Sequence, residues 1–317
     1  MSKLFESLRG PKMQSNLPLE SVYKYKTRFS MLGTTGSGKS TIAAFLVLTS
    51  QTLSSRFEHF FCLPVEGSSR ILEDASNLRQ GRFPAKTQAY QPFAYESGLL
   101  LKWAGTFRDR KVQIPISDYA GEDLSFMMRP KSLSTPSPEN YGAAMALCNY
   151  VLDSDGFILV VPASRALMFH RELQIEPEPS DLALDPDVNL ARILGAVVSY
   201  KEQSRARKIK GIAVVITKWD LIAPYAMRYG YDISTHQGME HFMRVCFPAT
   251  AQALKFYGLD KVQFFPSAVA LEYDGDGNKK SWPSGGYMIE TDSRTRVPKY
   301  WEQTYVNLFE YLKSFAT

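Results

Sequence analysis

The stretch Gly33-Thr34-Thr35-Gly36-Ser37-Gly38-Lys39-Ser40 lies between TRFSML at Thr27–Leu32, which reads as a strand, and TIAAFLVLTSQTL from Thr41 onward, whose apolar spacing suits a helix. Strand, glycine-rich loop and helix in that order build a cradle for phosphate. The glycines let the backbone curl with its N–H groups inward, and the helix start adds the positive end of its dipole. Lys39 is placed to neutralise phosphate oxygens, and the Ser40 hydroxyl is a ligand suited to Mg²⁺. The expected ligand of this GxxxxGK[ST] pattern is a purine nucleoside triphosphate, held by Gly33, Thr34, Thr35, Gly36, Ser37, Gly38, Lys39, Ser40 and Thr41.

Outward from this loop, three apolar runs read as buried strands: GFILVV at Gly156–Val161, GIAVVI at Gly211–Ile216 and KVQFF at Lys261–Phe265. Helix-compatible segments such as Leu190–Gln203 and Met239–Phe247 separate them, a pattern that predicts a mainly parallel sheet covered on both faces. Pro92–Trp103 and Arg110–Ser117 read as a hairpin, in which Pro115 calls for a distortion because it has no N–H for the ladder. Trp301, Tyr305, Leu308 and Leu312 fall on one face of a final helix. Arg129–Glu139, Gln174–Asp187 and Tyr273–Gly286 are rich in proline or polar residues and read as surface loops.

The phosphate loop alone leaves kinases, ATPases and GTPases open. Asp118-Tyr119-Ala120-Gly121 closes the second hairpin strand with a carboxylate placed to hold Mg²⁺ through water and a glycine whose N–H can meet a γ-phosphate oxygen. Thr217-Lys218-Trp219-Asp220 comes directly after GIAVVI. A carboxylate there can accept from guanine N1–H and its exocyclic amine, a pair adenine does not offer, while the Lys218 stem covers the base. Ser267-Ala268 ends the KVQFF strand, where a backbone N–H can reach guanine O6.

The ordered set GTTGSGKS, DYAG, TKWD and SA resembles the G1, G3, G4 and G5 boxes of Ras-like P-loop GTPases of the TRAFAC class, over most of the chain after its N-terminal tail. The resemblance implies an α/β, three-layer P-loop NTPase G domain with a mostly parallel six-stranded sheet, one antiparallel edge strand and helices on both faces. By that pattern Lys39 and Ser40 bind phosphate and Mg²⁺, Asp118 and Gly121 begin switch II, Lys218 and Asp220 of the box opened by Thr217 hold guanine, and Ala268, after Ser267, gives the last base contact. A switch I threonine should stand between the first helix and the hairpin. Thr87 in RQGRFPAKTQ fits that placement as a catalytic and Mg²⁺-binding residue, and Thr106 in the hairpin turn fits badly.

The chain departs from the family in several places. The segments Lys39–Asp118 and Asp118–Thr217 are far longer than in a minimal Ras-like domain, and Thr217 replaces the commoner Asn. Glu122 stands where a water-positioning Gln is usual; it can orient the attacking water, yet its charge beside developing phosphate charge favours slow hydrolysis. Arg82 is either an internal arginine finger or an exposed loop arginine. The long first insertion, DYAGE and GRFPAKT look similar to large prokaryotic Ras-like GTPases.

Length is consistent with this assignment: 317 residues allow one enlarged domain, and the motifs from Gly33 to Ala268 leave no room for a second core. The expected organisation is a tail over 1–25 with a short amphipathic helix (Leu4, Phe5, Leu8), then one G domain over 26–317. Its insertions fall at about 50–86 and 122–150, with a long loop at about 170–190. With 44% hydrophobic and 22% charged residues the chain can bury a full core, which excludes a disordered or collagenous protein. No run reaches the ~20 apolar residues of a membrane span, although a peripheral membrane or partner contact by the N-terminal helix stays open. Three cysteines outside any CxxC spacing and no secretory leader point to a cytoplasmic protein.

The net charge of +5 demands no nucleic acid, and the basic run Lys201–Lys210 reads as a solvated helix end. Asp274–Asn278 lacks the glycine and closing glutamate of a calcium loop, and His236 and His241 are not spaced as adjacent ligands. The expected activity is that of a slow GTPase switch binding GTP or GDP with Mg²⁺ and presenting its switch loops to an effector or activating protein. An ATPase or a hydrolysis-deficient nucleotide-dependent scaffold is the alternative.

Overall fold

The computed structural model describes residues 27–34, 36–56, 60–64, 69–84, 98–104, 110–115, 151–171, 173, 185–204, 206, 208–256, 261–283 and 287–316. The tail, the whole of 116–150 and the stretch 85–97 lie outside these, and with them Thr35, Thr87, Asp118, Gly121 and Glu122.

Seven strands are described: β1 (Phe29–Gly33), β2 (Phe60–Pro64), β3 (Gly98–Trp103), β4 (Arg110–Pro115), β5 (Gly156–Pro162), β6 (Gly211–Thr217) and β7 (Val262–Pro266). The helices are α1 (Lys39–Arg56), α2 (Ser69–Arg79), α3 (Pro186–Gln203), α4 (Trp219–Arg228), α5 (His236–Cys246), α6 (Pro248–Phe256) and α7 (Glu302–Lys313). Strands β1, β5, β6 and β7 pair in that order, all parallel. Antiparallel β2-β3-β4 forms a second hydrogen-bonded set, and β4 lies against β1. The fold is thus mixed α/β with helices on both faces of a mostly parallel sheet, as the strand runs imply.

Side-chain alternation along the parallel strands feeds two cores. Phe29, Met31, Ile158, Val160, Ala213 and Val215 share one with α1, α2 and α7; Leu32, Phe157, Leu159, Val161, Ile212, Val214 and Ile216 share the other with α3 to α6. Every residue of β1, β5 and β6 is buried, which is why these strands read as continuous apolar runs. Helix α1 is buried on all sides from Ile42 to Ser50, consistent with its lack of a polar stripe.

The expected hairpin is present as β3 and β4, and β4 ends at Pro115 opposite Gly98. The first insertion is more ordered than its sequence suggests: β2 extends the antiparallel set beyond β3, pairing Phe60 with Trp103, and α2 comes after it. Trp301 departs from expectation. It precedes the final helix with φ −76° and ψ 80° and is 42% exposed, whereas Phe309 joins Tyr305, Leu308 and Leu312 in the core. The helical wheel failed at Trp301 because the backbone is not yet helical there.

Tyr273–Gly286 is not simply a loop. Between the Ser267-Ala268 turn and α7 the chain makes antiparallel bridges Val269–Tyr300, Leu271–Ile289, Tyr273–Lys279, Ser281–Tyr287 and Thr291–Pro298, a small β excursion. Gly81 ties it to α2's end, its carbonyl accepting from Ile289 N at 2.9 Å and Trp282 Nε1 at 3.2 Å. Arg82 stacks its guanidinium 4.3 Å from the Trp282 ring centre, so an arginine finger there would have to leave this stack. Asp274 accepts from the N–H groups of Asp276 and Asn278, a polar turn as read from the sequence.

Two charges in stretches read as polar surface are buried instead. Lys201 donates to the carbonyls of Val151, Leu152 and Ser154 at 3.3, 3.0 and 2.6 Å, supplying a cation where a helical segment ends. Asp187, in the first turn of α3, accepts from Ala249 N and Thr250 N, both at 2.7 Å, at the start of α6. One carboxylate therefore caps a neighbouring helix while Asp185 caps its own. Asp187→Ala strands the buried N–H of Thr250 and the half-buried N–H of Ala249 and is expected to cost about 2–4 kcal/mol of stability, read as a lower urea midpoint. A midpoint unchanged from wild type would show that these bonds carry no net stability.

Candidate functional site

The parallel register brings the strand ends together. Gly33 of β1 pairs with Val160, Pro162 of β5 with Thr217, and Ile216 of β6 with Pro266 of β7, so the connections leaving these strands all emerge at one edge of the sheet. In open parallel sheets this carboxyl edge is where ligands bind. The segments assembled there are the glycine-rich loop, a 3₁₀ turn Ala163–Arg165, Lys218 with the start of α4, and Ser267-Ala268.

The loop is built tightly. A Cβ on Gly33 would stand 2.7 Å from Ser37 Oγ and 2.9 Å from the Val160 carbonyl oxygen, so only glycine fits. Gly36 and Gly38 take φ of 69° and 100°, open to glycine and strained for other residues. Ser37 N donates to Thr34 O at 3.2 Å and Ile42 N to Gly38 O at 2.9 Å, the latter opening α1. Lys39 folds its ammonium over the loop, donating to Gly33 O at 3.0 Å and Thr34 O at 3.2 Å. Ser40 and Thr41 come next in the first turn of α1, half-buried. The buried hydroxyls of Thr34 and Ser37 have no partner among the described residues.

Thr217 locks this loop to the segment that leads from β6 into α4: its hydroxyl donates to Ser37 O at 2.7 Å and lies 3.4 Å from Val161 O. A threonine with this bond is a brace as well as the head of its motif. Lys218 then adopts φ 58° and ψ 30°, the left-handed region, which costs a non-glycine residue about 1–2 kcal/mol. This turn swings the chain from β6 into α4 within a single residue and puts Asp220 in the first helical turn. Asp220 Oδ1 accepts from Val269 N at 3.3 Å, an anchor that holds the carboxylate beside Ala268.

Burial is the first cause of both perturbed charges here. It raises the Asp220 carboxyl above the usual carboxylate range, against the opposing pull of Val269 N–H, Lys279 and Lys218. It lowers Lys218, helped by the like charge of Arg165 and opposed by Asp220. Perturbed charges clustered at the carboxyl edge of a sheet mark a site prepared for a polar ligand. Cys62 and Cys246, by contrast, are free thiols pushed up to about 12 by burial, the environment of structural cysteines.

Ser267 and Ala268 are placed differently. The Ser267 hydroxyl turns inward to Tyr305 OH at 2.8 Å, and its backbone is spent on Ile216 O and Trp219 N. Its side chain is therefore a core anchor, while Ala268 stands at the strand end beside Asp220's anchor. Arg165 escaped sequence reading altogether, although a charge three residues past a parallel strand was the available signal.

The chemistry of these residues suits a nucleotide: a Cβ-free cradle, an ammonium above it, and a carboxylate with a lysine at the end of β6. Of the residues expected to hold Mg²⁺, Ser40 lies in the first turn of α1, whereas Thr87 and Asp118 lie outside the described residues. No cluster of three or more His, Cys, Asp or Glu placed for a metal occurs among the described residues. No helix among them is long and apolar enough to cross a membrane.

No protein-family model and no curated protein matches the chain. Among solved structures it is similar to the GTPase-like domain of S. cerevisiae Ski7 bound to GTP, at 15% identity and a TM-score of 0.35, covering 79% of this chain and 45% of that one. It is similar also to that domain bound to GDP and inorganic phosphate, at 14% identity and a TM-score of 0.34 with the same coverage. The chain spans less than half the length of these two.

Proposed function

We propose that this protein binds GTP and GDP in the Ras-like manner and works as a slow GTPase switch. The observation that carries the proposal is the Thr217 brace. One hydroxyl joins the phosphate loop to the residues expected to read the base, with Asp220 three residues further on and held by Val269. Phosphate and base recognition therefore share one rigid unit.

In this reading Lys39 and the loop amides hold the β and γ phosphates, Lys218 covers the guanine face, and Asp220 accepts from its N1–H and amine. Ser40, Thr87 and Asp118 would hold Mg²⁺, which supplies charge neutralisation between the phosphates when bound. Gly121 and Glu122 would track the γ-phosphate, and the segments carrying Thr87 and Asp118 would order around GTP, relax after hydrolysis and meet a protein partner.

Titration with labelled GTP and GDP, with and without Mg²⁺, tests the proposal. Binding at micromolar Kd or tighter is expected, with about 100-fold excess ATP displacing little of it. Single-turnover phosphate release is expected on the order of 10⁻³ s⁻¹ or slower. Equal displacement by ATP would make the protein an ATPase, turnover at rates of a fast ATPase would remove the slow-switch reading, and no binding of either nucleotide would remove the proposal.

A further inference from the structure

Asp220 is gripped from outside its own motif. The N–H that anchors its Oδ1 belongs to Val269, the first residue of the β excursion, and the bridge Val269–Tyr300 ties that residue to the chain returning toward α7. The excursion therefore begins at the carboxylate, and its pairing decides which of its side chains turn back toward the site. Bridged partners share a face, and side chains alternate along each strand. Val269, Leu271 and Ile289 thus lie on one face with Tyr273, Lys279 and Tyr287. The first three are buried, so this face is turned onto the body of the protein.

Alternation separates two adjacent lysines. Lys280 falls on the opposite face, where its ammonium pairs with Glu272 at 3.5 Å. Lys279 falls on the inner face, half-buried, with Nζ 5.3 Å from the centre of the Tyr287 ring. A tight turn sets this register: Asp274 accepts from the N–H groups of Asp276 and Asn278, Gly277 takes φ 81°, and Lys279 comes back to bridge Tyr273. From there Lys279 lies close enough to Asp220 for its charge to favour the carboxylate, as Lys218 does from the turn after β6. Arg165, on the 3₁₀ turn, faces Lys218. The excursion meets one carboxylate twice, with a backbone N–H at its start and an ammonium beyond its first turn.

We infer that Lys279 is a positioning residue of this site: carried on the β excursion, its ammonium keeps the Asp220 carboxylate a double acceptor for guanine. This role rests on the guanine-nucleotide reading and adds to it a residue from outside the motifs. Lys279 acts through Asp220 and not on the nucleotide. Its charge therefore matters where protons compete for the carboxylate and not where the carboxylate is already ionised. Loss of the ammonium lets Asp220 take up a proton at higher pH, so GTP affinity falls off earlier on acidification.

Wild type, Lys279→Met, Lys279→Gln and Lys279→Arg are titrated with GTP across the pH range in which circular dichroism shows each to be folded. At the alkaline end all four are expected to bind alike. The ratio of variant to wild-type Kd is expected to climb to about twofold or more at the acid end for the methionine and glutamine variants, while Lys279→Arg stays close to wild type. The glutamine variant carries the test if the methionine variant does not fold. In the Asp220→Asn background, adding Lys279→Met is expected to leave the affinity for xanthosine triphosphate unchanged, because the group on which Lys279 acts is gone. A ratio that does not climb on acidification would overturn the role. So would a loss of xanthosine triphosphate in the double variant, which marks a direct contact with the nucleotide. In either case, GTP binding by wild type and a preference moved toward xanthosine triphosphate by Asp220→Asn leave the guanine reading standing. If wild type binds no GTP, or Asp220→Asn keeps its preference for GTP, the guanine reading fails and the role of Lys279 falls with it.

Discussion

Asp220→Asn is expected to weaken GTP binding roughly 100-fold and to make xanthosine triphosphate the better ligand. The carboxylate offers two acceptors to guanine's N1–H and amine, and the carboxamide turns one of them into a donor that faces the amine. Losing a pair of charge-assisted bonds in a half-buried site costs about 3 kcal/mol, which corresponds to that factor. Xanthine carries a carbonyl where guanine has its amine, so the same carboxamide suits it. Val269 N–H, at 3.3 Å from Oδ1, holds the side chain in place in either form and keeps the exchange local.

The same carboxyl sets a pH dependence. Burial raises its pKa in the free protein, while guanine's two N–H donors favour the ionised form. Affinity for GTP is therefore full above the raised pKa and falls as the pH drops through it, a slope that Asp220→Asn abolishes. The sign for stability of the free fold is opposite. A carboxyl with a raised folded-state pKa contributes most below its unfolded pKa and loses that contribution as the pH rises through the folded value. Paired titrations of GTP and xanthosine triphosphate at several pH values read both effects, and an unchanged preference for GTP in the asparagine variant would remove the guanine assignment.

Lys39→Ala is expected to bring GTP, GDP and, in the Asp220→Asn background, xanthosine triphosphate below detection. The ammonium lies 3.0 and 3.2 Å from two loop carbonyls, already at the place where phosphate oxygens would meet it. Its removal takes away about 3–4 kcal/mol of charge-assisted bonding, several hundredfold in Kd. The fold should tolerate the change, because Lys39 is half-buried at the first residue of α1 and takes no part in either hydrophobic core. Equilibrium dialysis measures the first effect and the thermal midpoint the second; retained GTP affinity would mean that this loop does not hold phosphate.

The features readable from the chain in advance were those that depend on neighbours in sequence. The GFILVV and GIAVVI runs become β5 and β6 because a strand buried on both faces needs apolar residues at every position. The glycine-rich turn between strand and helix was equally readable, since its glycines, Lys39 and Ser40 fall within eight consecutive residues. Strand β2 was not, because FFCLP gains its identity only from pairing with Leu99–Trp103, some 40 positions away. Nor was the excursion over 269–300, whose bridges are single and irregular and leave no period in the sequence.

For the candidate site the division is similar. Sequence alone nominated the residues proposed to hold phosphate and read a base: Lys39, Ser40, Lys218 and Asp220. The tertiary structure decided how they are held. It made Thr217 a brace, turned Ser267 toward Tyr305, gave Asp220 its Val269 anchor and carried Arg165 to the rim of the loop. Each of these depends on the parallel register aligning the ends of β1, β5, β6 and β7. That alignment comes from packing two cores against one sheet, so it joins residues that no spacing along the chain relates.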